Sequence, residues 1–143
     1  SDKEARGCYL HDGWAVASAG GVVAYSDFGG IMLDLDGDGD IGTGWVLMYW
    51  HLDRFERIQA GSIVATGQNL GHPSCEGGFS SGTHLHIARR YNGVWIDANG
   101  ERPFVMDGWV SRPDAREYDG FLVKGDVVKE ACICADEINE IFR

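Results

Sequence analysis

From residue 14 to residue 97 the chain is a succession of short segments, each apolar throughout or alternating apolar with polar, and this pattern restricts what it can fold into. The segments fall at about 14–18, 21–26, 30–35, 45–52, 62–65, 83–91 and 94–97, punctuated by Gly29-Gly30, an acidic loop and Asn92-Gly93. Alternation with a period of two belongs to strands that bury one face, so the expected fold is mainly β, an antiparallel β-sheet domain. Asn-Gly between two strands favours a two-residue hairpin turn. Here it would return the strand carrying His84 and His86 directly onto Val94-Trp95-Ile96 and fix its register. Composition agrees: 21 glycines against 3 prolines suit tight hairpins rather than disorder, and 5 tryptophans and 6 phenylalanines supply core volume. A chain of 143 residues is expected to be one domain, 1–143, with a single core.

Chemistry concentrates in Gly82-Thr83-His84-Leu85-His86-Ile87-Ala88. Alternate residues of a strand share a face, which sets the two imidazoles roughly 6.5 Å apart along the chain. Neutral imidazoles at that separation can divide labour, one binding a transition metal while the other works on substrate or water. The plain alternative is a polar strand face with solvated rings.

The surroundings favour the first reading. A segment ending Leu47-Met48-Tyr49-Trp50-His51-Leu52 precedes Gly61-Ser62-Ile63-Val64-Ala65-Thr66-Gly67-Gln68-Asn69-Leu70-Gly71, and Ser80-Ser81-Gly82-Thr83-His84-Leu85-His86 follows. This order resembles the catalytic half of the lysostaphin-type (LytM-like) zinc endopeptidases, with a Tyr-x-His-Leu strand, a Gly-x-x-Val-x-x-Gly-Gln-x-x-Gly segment and a Ser-x-Gly-x-His-Leu-His strand. The resemblance is strongest over 14–96. It implies a duplicated-hybrid-motif-like sandwich or barrel with a groove. Carried over residue by residue, it makes His86 a Zn2+ ligand, His84 a catalytic base or orienting group, and His51 a stabiliser of the oxyanion. Tyr49, Ser80, Ser81, Gly82 and Thr83 would line the substrate groove, and the glycine-rich stretch 77–82 reads as a mobile loop forming its wall. Counting by twos along the strand puts His51 on the face of Trp45, Leu47 and Tyr49.

One part of the family pattern is missing. Those enzymes use two further zinc ligands, a His and an Asp four residues apart, upstream of the strand that matches 13–23 here. Counting back lands near Asp2 and Arg6, where there is no such pair. His11 and Asp12 are adjacent, so on a strand they would face opposite ways and make a poor ligand pair; a strand-entry turn is the better reading. The zinc would therefore need additional ligands from upstream of residue 1 or from a companion chain. The start at Ser1 without Met favours a fragment.

The formal net charge of −10, with Lys and Arg scattered, argues against nucleic acid as a partner. No apolar run approaches the roughly 20 residues that span a bilayer. Cys8, Cys75, Cys132 and Cys134 are even in number and lack zinc spacing, so disulfides in an oxidising compartment are expected. A Cys132–Cys134 bond would be strained, which points each of these to Cys8 and Cys75.

In Leu33-Asp34-Leu35-Asp36-Gly37-Asp38-Gly39-Asp40-Ile41, the carboxylates of Asp34, Asp36, Asp38 and Asp40 alternate around flexible glycines. Such a set can converge on Ca2+, which takes six to eight oxygens at about 2.3–2.6 Å. The spacing begins like an EF-hand loop but reaches Trp45 where the bidentate Glu belongs, and strands flank it. A calcium-clamped hairpin loop and a solvated acidic turn both fit. Beyond Pro103 the resemblance fades, leaving 103–143 as a C-terminal extension. Phe121-Leu122-Val123 and Asp126-Val127-Val128 flank Lys124-Gly125 as a hairpin, and Ile138, Ile141 and Phe142 share one face of an expected short C-terminal helix.

The resemblance thus implies a secreted, extracellular or cell-envelope zinc endopeptidase domain acting on bacterial cell-wall (peptidoglycan) peptides, incomplete in this chain. The alternative is a degenerate, non-catalytic peptide- or glycan-binding or structural module of the cell surface, stabilised by calcium.

Overall fold

The computed structural model describes residues 7–132 and 137–143, so Asp2, Arg6 and Cys134 lie outside the described residues. The chain divides into two compact units, Ser1–Trp95 and Ile96–Arg143. Its sheets are antiparallel, and among the described residues there is no α-helix.

The first unit holds β1 (Ala15–Val16), β2 (Gly21–Asp27), β3 (Gly30–Asp34), β4 (Trp45–Trp50), β5 (Ile63–Val64), β6 (Asn69–Gly71) and β7 (His86–Tyr91), and β8 (Val94–Ile96) begins at its end. Strands β5-β2-β3-β4-β7-β8 form one six-stranded sheet, and β1 pairs with β6 in a second. The large sheet ends at β5 and β8, so the barrel half of the sandwich-or-barrel expectation gives way to open sheets. Asn92-Gly93 makes the anticipated turn between β7 and β8, with Asn92 at φ 47° and Gly93 at φ 78°. Strand β6 escaped the reading of the sequence because a three-residue segment with one apolar side chain has no period to detect.

Register decides which side chains are buried. Ile31 pairs with Tyr49 and Leu33 with Leu47, while Ile87 pairs with Tyr49 from the other side. This inner face meets Ala15, Ala17 and Leu70 from the β1–β6 region, together with Val23, Leu52 and Val64. Ile31, Leu33, Leu52 and Leu70 are fully buried, each stabilising the fold by about 1.5–3 kcal/mol. The Tyr49 hydroxyl, equally buried, accepts the Ser18 N–H at 2.9 Å.

Cys8 and Cys75 form a disulfide across 67 positions, which overturns the pairing of Cys132 and Cys134 with them. Cys132 is disulfide-bonded as well. The reason is local: Cys8 lies beside the turn before β7, where the Thr83 N–H donates to the Gly7 carbonyl at 2.8 Å. That alignment brings the N-terminal segment to the loop that contains Cys75.

The second unit is a four-stranded sheet in the order β12-β11-β10-β9, built from β9 (Val105–Met106), β10 (Trp109–Pro113), β11 (Gly120–Lys124) and β12 (Val127–Glu130). The hairpin at Lys124-Gly125 is as expected. A further one turns at Asp107-Gly108, a dipeptide that signals a hairpin as clearly as Asn-Gly does. The expected C-terminal helix is a single 3-10 turn, Glu137–Asn139. Phe142 docks edge-on against Trp109, whose Nε1 donates to the Phe142 carbonyl at 2.7 Å, while Ile138 is 70% exposed. The apolar residues of the tail therefore do not share one buried face, and among the described residues the helix is confined to that turn.

Two tests follow from this packing. Gly30 pairs with Trp50, and a Cβ at residue 30 would come within 1.8 Å of the indole ring, which Gly77 pins through its carbonyl. Gly30→Ala is expected to cost about 1–3 kcal/mol by chemical denaturation, and an unchanged midpoint would contradict the stacking described. Cys75→Ser is expected to lower stability by roughly 4 kcal/mol, since the lost bond closes a long loop.

Candidate active site

Strands β4 and β7 run antiparallel from the pair Trp45–Tyr91 to the pair Trp50–His86. Just ahead of β7, Leu85 packs against the core, as does Ile87 within it. His84 and His86 therefore project from the opposite side, and His86 stands in a cross-strand row with Trp50 and Gly30.

His51 joins them by leaving its strand. Strand β4 ends at Trp50, and His51 takes a left-handed backbone, φ 66°. Counting by twos had placed it on the buried Tyr49 face; the left-handed turn breaks the count and swings the ring to the histidine side. Such a conformation is uncommon for a residue with a Cβ and persists only where the surroundings hold it. Here the Ser74 N–H donates to the His51 carbonyl at 2.7 Å, and the Ser74 hydroxyl donates to the same oxygen at 3.2 Å. The ring centroids of His51 and His84 are 4.5 Å apart, and those of His51 and His86 6.3 Å.

Hydrogen bonds set the tautomers. His51 Nδ1 lies 2.8 Å from the Glu76 carbonyl and His84 Nδ1 2.8 Å from the Gly82 carbonyl. A carbonyl only accepts, so in the neutral form each ring carries its proton on Nδ1 and its lone pair on Nε2. Glu76 is itself held, its carboxylate meeting Arg54 at 3.1 Å and Arg57 at 3.5 Å. His86 has its pKa lowered, first by desolvation and then by His51 and His84, so its ring stays neutral with a lone pair to offer.

The expected groove residues divide. Tyr49 is fully buried in the core and does not line a groove. Ser80 and Gly82 form the turn that grips His84: the Ser80 hydroxyl donates to Gly82 O at 2.6 Å and lies 3.3 Å from His84 Nδ1. Thr83 spends its hydroxyl on Tyr9, accepting the N–H at 2.8 Å and donating to the carbonyl at 2.6 Å. Ser81 is exposed. His11 accepts the Gly13 N–H in a turn, as expected for the His11-Asp12 pair. The Glu76 carbonyl and Ser74 had no signal in the sequence, because a backbone acceptor can belong to any residue.

A family model, peptidase family M23, matches residues 11–98, more than half of the chain. The chain belongs to peptidase family M23. Protease LasA of Pseudomonas aeruginosa strain UCBPP-PA14 is 31% identical over 64 residues, and LasA of strain PAO1 is 34% identical over 65. Each match covers 41% of this chain and spans only 15% of the length of LasA. The solved structure of the deep-sea M23 metalloprotease pseudoalterin superposes with a TM-score of 0.66 at 21% identity, covering 87% of this chain and 75% of that one; it shares the fold.

Within this M23 domain, the described residues do not by themselves make a zinc site. Among them, the one set of three acidic, histidine or cysteine side chains whose ligand atoms lie within 4.8 Å of one another is Asp34, Asp36 and Asp38. His86 offers a neutral imidazole but has no such companions, and a tetrahedral zinc needs three protein ligands.

His72 has a different role in the M23 fold. It is buried, with Nε2 3.0 Å from the Glu56 carboxylate, Nδ1 3.0 Å from the Gly13 carbonyl and the Trp14 ring 3.9 Å away. The Glu56 hydrogen bond is the largest influence raising its pKa above the ordinary value. A raised folded-state pKa stabilises the fold fully below the unfolded histidine value of about 6.5, and the contribution fades as pH rises through the raised value. Thermal unfolding between about pH 6 and pH 9 should show wild type losing stability relative to Glu56→Gln across that window; parallel curves would remove His72 as the cause.

Proposed function

We propose that this chain is a zinc-dependent endopeptidase domain acting on cell-wall peptides, with His84 and His51 catalytic, His86 a zinc ligand and the ion's remaining ligands supplied from outside the described residues. The observation that carries the reading is the convergence of three imidazoles from two separate segments, two with Nδ1 tied to a carbonyl and Nε2 left free. Membership of family M23 and the metalloprotease neighbour support it. In this reading His84 Nε2 takes the proton from the attacking water, and His51, held by the Glu76 carbonyl, faces the oxygen on which charge develops. A peptide would lie along the exposed row that contains Trp50 and His86, beside a shallow depression lined by Phe28, Trp50, Arg54, Glu76, Gly77 and Gly78. The disulfides suit a secreted or cell-envelope location, and no helix among the described residues is long and apolar enough to cross a membrane.

The incomplete ligand set favours a second reading, a non-catalytic module that binds wall peptides through the same face. Release of labelled fragments from purified peptidoglycan, measured with zinc and with the segment or companion chain that supplies the remaining ligands, separates the two. The peptidase reading expects measurable release that His84→Ala and His86→Ala each cut by at least about a hundredfold while wall binding persists. Binding without release, unchanged by either substitution, would establish the module instead.

A further inference from the structure

We propose that the β3–β4 loop is a calcium site built from Asp34, Asp36 and Asp38, because the fully buried Asp34 carboxylate belongs to that cluster and carries an oxygen without a hydrogen-bond partner. Asp34 closes β3 and has no solvent-accessible surface. Its Oδ2 accepts the Gly39 N–H at 2.7 Å, but Oδ1 has no hydrogen-bond partner and no exposure to water. A buried carboxylate oxygen in that state needs either a proton or a cation.

The neighbouring groups favour the cation. One carboxylate oxygen from each of Asp34, Asp36 and Asp38 lies within 4.8 Å of the other two. Oxygens bound to one calcium at about 2.3–2.6 Å are at most about 5 Å apart, so these three already fit around one ion. Asp38 is directed by its neighbours: Thr43 Oγ1 donates to it at 2.6 Å and the Asp40 N–H at 2.7 Å.

Asp36 and Asp38 are exposed, leaving room for water in the remaining coordination positions. An all-oxygen set of this kind selects a hard ion over a transition metal. With Trp45 at the position of a bidentate Glu, the affinity falls in the weak range of extracellular modules, a Kd on the order of 0.1–1 mM. The loop is fastened to the β7–β8 turn, since the Gly44 N–H donates to Asn92 Oδ1 at 2.9 Å and the Asn92 N–H to the Gly44 carbonyl at 3.0 Å. Binding would therefore stiffen both hairpins.

The test is calorimetric titration of the chelator-treated chain with calcium chloride, with thermal unfolding in parallel. Saturable 1:1 binding in the submillimolar to millimolar range is expected, with a roughly tenfold shift of the folding equilibrium toward the native state at about ten times Kd. Asp36→Asn, at an exposed position, should weaken it at least tenfold. Asp34→Asn should abolish the response while leaving the calcium-free protein as stable as wild type or more so. An equal response to magnesium or sodium chloride at matched ionic strength would overturn the site, and so would an unchanged response in both variants.

Discussion

The left-handed turn at His51 is the constraint on which the arrangement of imidazoles depends. A continuing strand would have sent residue 51 toward the core beside Tyr49, leaving the other two histidines without a third. The turn has its own supports. Ser74 donates to the His51 carbonyl, the Glu76 carbonyl accepts a hydrogen bond from the His51 ring, and Arg54 and Arg57 fix the Glu76 carboxylate in turn. Arg57 also donates to the Leu52 carbonyl at 2.8 Å, so the chain is clamped on both sides of the bend. A backbone conformation disfavoured by itself becomes the stable one because the Ser74 N–H, the Ser74 hydroxyl and the Glu76 carbonyl would lose their partner if it relaxed.

Much of this was legible in the sequence, and the failures share a cause. Residues such as Ile31, Leu33 and Ile87 obey the two-residue period, so their strands and buried face follow from pattern alone. His84 and His86 obey it too, flanking Leu85. His51 does not, because period counting assumes a strand that continues, and no side chain announces that the backbone is about to turn left-handed. Tyr49 failed as a groove residue for the complementary reason: the motif names a residue type but not the side of the sheet on which it lies. The disulfide partners were beyond reach because the bond depends on Gly7 aligning beside Thr83, a contact between segments more than seventy residues apart.

Strands β4 and β7 carry two different chemistries at their opposite ends. Imidazole nitrogens gather where Trp50 pairs with His86, and hard carboxylate oxygens gather where Trp45 pairs with Tyr91. Five residues of strand, about 16 Å, separate them. That distance, together with the difference in donor type, keeps the histidine cluster and the acidic loop from competing for one ion.

The Cys8–Cys75 bond closes a ring that contains β1 through β6. A single backbone cut in any exposed turn within that ring, at the acidic loop or at Gly61 for example, opens the ring without dividing the molecule. Both new ends remain tethered to the paired strands, so resealing of the sheet stays a unimolecular event. For a domain with so many solvent-facing hairpins, nicking by a protease would leave a repairable arrangement rather than two fragments that diffuse apart.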